Sequence, residues 1–150
     1  MKPYEIHEAT LLISDDPARL NRELIHRFLS ERSYWAQGVS PEMVNRSLDH
    51  SLCFGVYQAG QQVGFARVVT DFATFAWLAD VFVVEDRRGQ GIGKKLVGAV
   101  LGHPRLQGLR RFMLGTKDAA GLYARFGFKP LAQPERFMEI RLESSYNYGC

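Results

Sequence analysis

Cysteine is scarce in this chain: Cys53 sits inside an apolar run and Cys150 is the last of 150 residues. A thiol buried in an apolar run and a thiol at the tail fit a reducing compartment better than a disulfide framework, so a cytoplasmic protein is expected. Long apolar runs are missing too. No stretch approaches the ~20 residues needed to cross a bilayer, and the opening M-K-P-Y-E-I-H-E lacks the apolar centre of a secretory leader. The chain also lacks an excess of one charge. Its net +3 comes from scattered Arg and Lys, with no basic run interleaved with aromatics, which argues against nucleic-acid binding. Repeats, low-complexity tracts and linkers are absent, so one domain over residues 1–150 is expected. No cluster of His, Cys, Asp and Glu has metal-ligand spacing, and no metal is expected.

What is present is ordinary globular material, 46% hydrophobic and 23% charged. Tyr4 to Ser14 reads as a first strand. Asp16-Pro17 supplies a side-chain acceptor and a first-turn proline, a helix start, and Leu20, Leu24 and Phe28 with Ile25 and Leu29 form its apolar stripe. His26 lies off that stripe, toward solvent. Ser33 to Val39 breaks the pattern as a loop, and Ser40-Pro41 starts a second short helix. Three strands follow, Leu52 to Tyr57, Val63 to Thr70 and Phe75 to Val84, close enough for an antiparallel meander. A helix over Lys94 to Leu101, a strand over Arg111 to Gly115 and a helix from about Asp118 to Phe126 come next, the last stopped by Gly127. A strand over Phe137 to Leu142 ends the pattern, with a further strand expected around Phe128 to Leu131.

The segment from Val81 to Leu96 is the most informative. A strand feeding a glycine-rich turn at a helix start gathers several backbone N–H groups in one concavity, and the helix dipole adds positive potential. Such a turn suits phosphate. A P-loop would need Gly where Arg88 stands and Ser or Thr where Lys95 stands; a dinucleotide fingerprint would need Gly where Lys94 stands.

The run Arg88, Gly89, Gln90, Gly91, Ile92, Gly93 instead resembles the coenzyme A-binding motif [QR]-x-x-G-x-[GA] of the GNAT superfamily of N-acetyltransferases. Downstream, D-A-A-G-L-Y-A-R-F-G-F from Asp118 to Phe128 is similar to that family's second cofactor-contacting helix. The element order matches from about Tyr4 to Leu142. The resemblance implies an α/β (α+β) fold: a mixed, mostly antiparallel sheet of six to seven strands flanked by about four helices. It implies acetyl-coenzyme A as donor, held by the turn Arg88 to Lys94, by the main chain of Phe82, Val83 and Val84, and by Asp118.

The chemistry so implied is attack of an amine on a thioester. A lysine-like amine, with pKa ~10.4, must lose its proton first, at a cost on the order of 4–5 kcal/mol near pH 7. A base is therefore expected. Asp80, placed by period-two alternation on the face of Phe82 and Val84, is the most suggestive carboxylate, with support of the strand or of substrate as the competing reading. Tyr123 is the expected acid for the departing thiolate, as the resemblance implies. Backbone N–H groups of Phe82 or Val83 would polarise the carbonyl. Phe72, Phe75 and Trp77 crowd the turn before the long strand. Tyr34 and Trp35 are the expected border of the acceptor site, with packing as their alternative role. The preferred reading is acetyl transfer to a primary amine of a small molecule, by direct attack in a ternary complex. A protein acetyltransferase and a non-catalytic acyl-coenzyme A sensor are the alternatives. A homodimer is compatible with it, and no membrane partner is expected.

Overall fold

The computed structural model describes residues 2–142. Their element order is β1 (Glu5–Glu8), β2 (Leu11–Ser14), α1 (Arg22–Glu31), α2 (Pro41–Asp49), β3 (Leu52–Gln58), β4 (Gln61–Thr70), β5 (Phe75–Val83), α3 (Ile92–Leu101), β6 (Arg111–Leu114) and α4 (Ala120–Ala124). The six strands form one sheet in sequence order. Neighbours β1 to β5 pair antiparallel, as short connections require; β5 and β6 pair parallel, joined through the α3 crossover. Six strands and four helices match the expected mixed sheet.

The sheet has a core on each face. On one face α3 and α4 cover Phe54, Val56, Ala66, Val68, Ala76 and Leu78, with Leu96, Val97, Val100 and Tyr123 packed into them. On the other, α1 and α2 bury Ile25, Phe28, Leu29, Val44 and Leu48 against Cys53, Phe65 and Phe82. Phe28 and Phe82 stack 3.9 Å apart, within 8° of parallel. The buried Cys53 thiol is pushed up to about 12 by desolvation, so it is inert.

Several boundaries differ from the sequence reading, each for a local reason. The first strand is a hairpin, because Ala9 adopts φ 53° and turns the chain between β1 and β2. Asp16 does cap a turn, accepting from the Ala18 N–H, but that turn is a single 3₁₀ stretch, Pro17–Arg19. The α-helix starts later, where Asn21 accepts from the Leu24 N–H. His26 is half-buried, not solvated; its Nε2 lies 2.9 Å from the Val39 carbonyl. Neither Phe128 to Leu131 nor Phe137 to Leu142 is a strand; both run as irregular chain with no sheet partner among the described residues. Cys150 lies outside the described residues.

One irregularity positions everything that follows. Phe65 pairs with Phe82 and Arg67 with Ala79, so Ala66 alone faces two residues of β5, Asp80 and Val81. This is a β-bulge, with Asp80 in the left-handed region at φ 55°. Alternation breaks there: Ala76 and Leu78 face the α3 core, whereas Phe82 faces the α1–α2 core. Past the bulge, Asp80 shares the face of Phe82, as its neighbours' spacing suggested.

Candidate active site

β5 outruns β6. Their pairing covers only Phe75 to Leu78 against Arg111 to Leu114, which leaves Ala79 to Val83 with an open edge among the described residues. The Val84 N–H donates to the Val63 carbonyl, so by alternation the N–H and C=O of Val83 point the other way, into the opening. The Val83 carbonyl takes a hydrogen bond from Arg88 Nε at 3.2 Å. The Phe82 N–H, by the same alternation, is turned toward β4.

The glycine turn adjoins this edge. Gly89 and Gly91 have φ 82° and 77°, where glycine alone is unstrained, and a Cβ at either would meet nothing within 4 Å. Gly91 caps α3 without any side chain accepting there. The first intrahelical bond is Lys95 N–H to the Gly91 carbonyl, so the N–H groups of Ile92, Gly93 and Lys94 have no helical partner. Ile92 is buried in the core, and only its main chain is available. A Cβ at Gly93 would lie 3.9 Å from both Val83 and Leu122, which ties the turn to β5 and α4. Arg88, Gly89, Gln90 and Lys94 border it, all four exposed. The turn is an anion cradle beside an unpaired strand edge.

A cavity of about 710 Å³ opens along that edge at Ala79 to Val81. Tyr34, Trp35, Asp80, Asp118 and Tyr123, all singled out from sequence, line it together. Arg67, Trp77, Lys117 and Arg141 line it too. Of these, Arg67 left a readable signal, a lone charge inside the apolar strand run G-F-A-R-V-V. Lys117 and Arg141 left none.

The loop 33–39 is ordered from within. The Ser33 hydroxyl donates to the Leu29 carbonyl at 2.7 Å and accepts from the Ala36 N–H. This fixes Trp35, whose Nε1 donates to Asp80 Oδ1 at 2.8 Å. The other carboxylate oxygen accepts from Arg67 Nε at 2.8 Å, and Arg67 also reaches the Ser51 hydroxyl. Both Asp80 oxygens are thus engaged. Tyr34 bridges across the cavity: its hydroxyl accepts from the Lys117 N–H at 2.9 Å, and Lys117 Nζ lies 5.3 Å from its ring centre. Tyr123 is buried against Phe128, and burial, with smaller effects of Tyr34 and Asp118, holds its hydroxyl above the usual phenol range. A group so placed stays protonated at neutral pH. Among the described residues no group of three or more His, Cys, Asp and Glu is arranged to hold a metal, and no helix is long and apolar enough to cross a membrane.

Comparison with known proteins agrees with this geometry. Residues 49–130 match the model of the acetyltransferase (GNAT) domain. A presumptive GNAT-family acetyltransferase of Xanthomonas campestris pv. campestris is 49% identical, with a TM-score of 0.90 over 93% of this chain and 99% of the other. A presumptive acetyltransferase of Gibberella zeae is 30% identical over 146 positions, covering 83% of this chain and 81% of the relative. The glucosamine-6-phosphate N-acetyltransferase of Arabidopsis thaliana shares the fold at 16% identity, with a TM-score of 0.64 over 90% of this chain and 99% of the other.

Proposed function

Because the chain belongs to the GNAT acetyltransferase family, we propose that it is an enzyme that moves the acetyl group of acetyl-coenzyme A to a primary amine, that of a small molecule. One observation carries this reading: a strand edge open among the described residues shares a cavity with a buried tyrosine at Ala79 to Val81 and leads, past Val83, to an amide-lined glycine turn.

The donor's pyrophosphate would lie in the turn Arg88 to Lys94, held by backbone N–H groups and the α3 dipole. Its pantetheine arm would pair with the open edge of β5 as an added strand, displacing Arg88 from the Val83 carbonyl. The Val83 N–H faces that opening and Phe82's does not, so of these two Val83 would polarise the thioester carbonyl. Asp118, which lines the cavity at the start of the α4 segment, would border the same arm.

The amine enters from the cavity, between Tyr34, Trp35 and Trp77. Its nitrogen attacks the carbonyl carbon, and the carbonyl electron pair moves onto oxygen. Collapse of this tetrahedral adduct breaks the C–S bond, and the thiolate takes a proton from Tyr123. One proton leaves the substrate ammonium to water before attack, and a second, lost from the adduct nitrogen, returns through water to the Tyr123 phenolate. Asp80, with both oxygens bonded, serves as an anchor that orients Trp35 and Arg67, in place of a free base.

A panel of small amines tested with acetyl-coenzyme A, reading release of free thiol, tests the proposal. The expected result is amine-dependent release with an N-acetylated product by mass. Tight binding of acetyl-coenzyme A with no release on any small amine or on peptide amines would overturn it and favour the sensor reading.

A further inference from the structure

The side chains that line the cavity are not balanced in charge. Among the described residues Arg67, Lys117 and Arg141 are its cations and Asp80 and Asp118 its carboxylates, which leaves one positive charge in excess. Arg67 and Asp80 cancel, paired at 2.8 Å. Lys117 forms no ion pair with a described residue. Its main-chain N–H donates to the Tyr34 hydroxyl at 2.9 Å, and its Nζ lies 5.3 Å from the centre of the Tyr34 ring, so the ammonium is kept at the cavity wall. Tyr34 is also close enough to help hold the Tyr123 hydroxyl upward, so Lys117 and the expected acid are both its neighbours. Elsewhere the lining is apolar. Leu29, Val39 and Val44 are buried, whereas Met43 and Trp77 stand 43% and 38% exposed.

Resting on the acetyl-transfer reading, we propose that the acceptor is an amino acid with an apolar side chain, its carboxylate held by Lys117 and its side chain covering Met43 and Trp77. The charge balance decides the class. A plain alkylammonium entering the cavity raises the excess from one positive charge to two, and repulsion opposes it. An amino acid brings a carboxylate, which the Lys117 ammonium holds by a charge-assisted hydrogen bond. Its ammonium end meets the Tyr34 and Trp35 rings and loses its proton before attack. A phosphate monoester, with a charge of about −1.5 to −2 near pH 7, overshoots the single excess. The apolar side chain takes Met43 and Trp77 out of water, which a small polar acceptor does not.

Matched pairs of acceptors test this: L-phenylalanine against phenethylamine, and L-leucine against isopentylamine, each with acetyl-coenzyme A and read by thiol release. The members of a pair differ by one carboxylate. The wild type should use the amino acid with the higher kcat/KM. The ratio of the amino acid's kcat/KM to the amine's should fall about 5-fold in Lys117→Met, the loss of one ion pair at a hydrated rim, and invert in Lys117→Glu. The differing basicities of a pair are the same for every variant and drop out of that comparison. Lys117 is exposed, so neither substitution should shift Tm. A wild type that uses the plain amines equally well or better overturns the proposal. So does a ratio that Lys117→Met leaves where it was. If no amine releases thiol, the acetyl-transfer reading falls and binding judges the site. Calorimetric binding of L-phenylalanine to the coenzyme A-saturated chain, lost in Lys117→Glu, then sustains it, and no binding overturns it.

Discussion

Trp35 Nε1 donates to Asp80 Oδ1 at 2.8 Å, joining a loop between two helices to the bulge of a strand 45 residues away. The bond makes the loop a wall of the cavity, and it gives a residue held at φ 55° a reason to stay there. Trp35→Phe keeps the ring and deletes the donor. It should lower Tm by about 2–4 °C, the shift expected for ~1 kcal/mol in a chain of this size. Trp35→Ala also removes the aromatic wall. It should raise the acceptor KM by roughly 2- to 30-fold, as loss of a ~0.5–2 kcal/mol cation–π contact predicts, with the acetyl-coenzyme A KM unchanged. Steady-state kinetics with each substrate varied in turn separate the two effects.

Arg67 is the other partner of that carboxylate, and removing it strands a charge. Breaking a buried pair costs ~3–5 kcal/mol; side-chain exposures of 19% and 11% put Arg67→Met at the low end. Arg67→Met combined with Asp80→Asn should recover more than half of the loss, since the amide keeps the left-handed backbone and carries no charge. Urea titration of the two singles and the double completes the cycle.

The glycines of the turn are not equivalent. Gly91→Val forces a β-branched residue into φ 77°, costing ~1–2 kcal/mol, and should abolish the rise in Tm that acetyl-coenzyme A gives the wild type. Gly93→Ala meets only ordinary contacts at 3.9 Å and should melt like the wild type when free. Any binding it loses then reports close approach of the ligand. Thermal shift with and without acetyl-coenzyme A reads both.

Tyr123→Phe should lower kcat by about 10²-fold, the low end for general acid catalysis because a thiolate leaves easily, and leave acetyl-coenzyme A binding unchanged. Burial moves the hydroxyl upward, so it keeps its proton from neutrality to its ordinary value near 10 and contributes no break to the kcat profile below that. A kcat unaltered by the substitution, with chemistry rate-limiting, would reduce Tyr123 to packing.

The loop between β4 and β5 hangs on Asp71, which accepts from the N–H groups of Ala73, Thr74 and Phe75 and from the Thr74 hydroxyl. The three N–H groups and the hydroxyl hold its folded pKa far below the ordinary carboxylate range. A depressed pKa stabilises the fold above the unfolded value, ~3.9, and that stability drains away as pH falls toward the folded value. The advantage of wild type over Asp71→Asn should therefore be constant above about pH 5 and shrink below pH 4. Denaturation at a series of acid pH values checks the sign.

Glycine spacing, proline caps and apolar periodicity made the turn, α2, β3 to β5 and α3 legible, because each is set by residues close in sequence. The bulge was not. Nothing in L-A-D-V-F-V announces that Asp80 will take a positive φ; the partners that hold it, Trp35 and Arg67, come from elsewhere in the chain. The helix start slid from Asp16 to Asn21 because both are good caps and only the Gln62 side chain, accepting from the Asn21 N–H at 2.8 Å, distinguishes them. Phe137 to Leu142 has a strand's alternation, yet alternation alone supplies no neighbouring strand, and the segment enters no sheet among the described residues.

The fork between β5 and β6 has a bearing on how such a protein can diverge. Main-chain groups on an open edge and in a glycine turn do not change identity when side chains are exchanged. Drift at Val81 or Val83 alters packing and leaves the edge where it was. A donor grip of this kind is lost only by closing the fork, by filling the turn or by unfolding the strand. The proposed acceptor wall is the opposite case, since Tyr34, Trp35 and Trp77 can each be replaced singly. Selection can thus rewrite what the cavity admits in small steps while the donor half of the reaction is carried along unaltered.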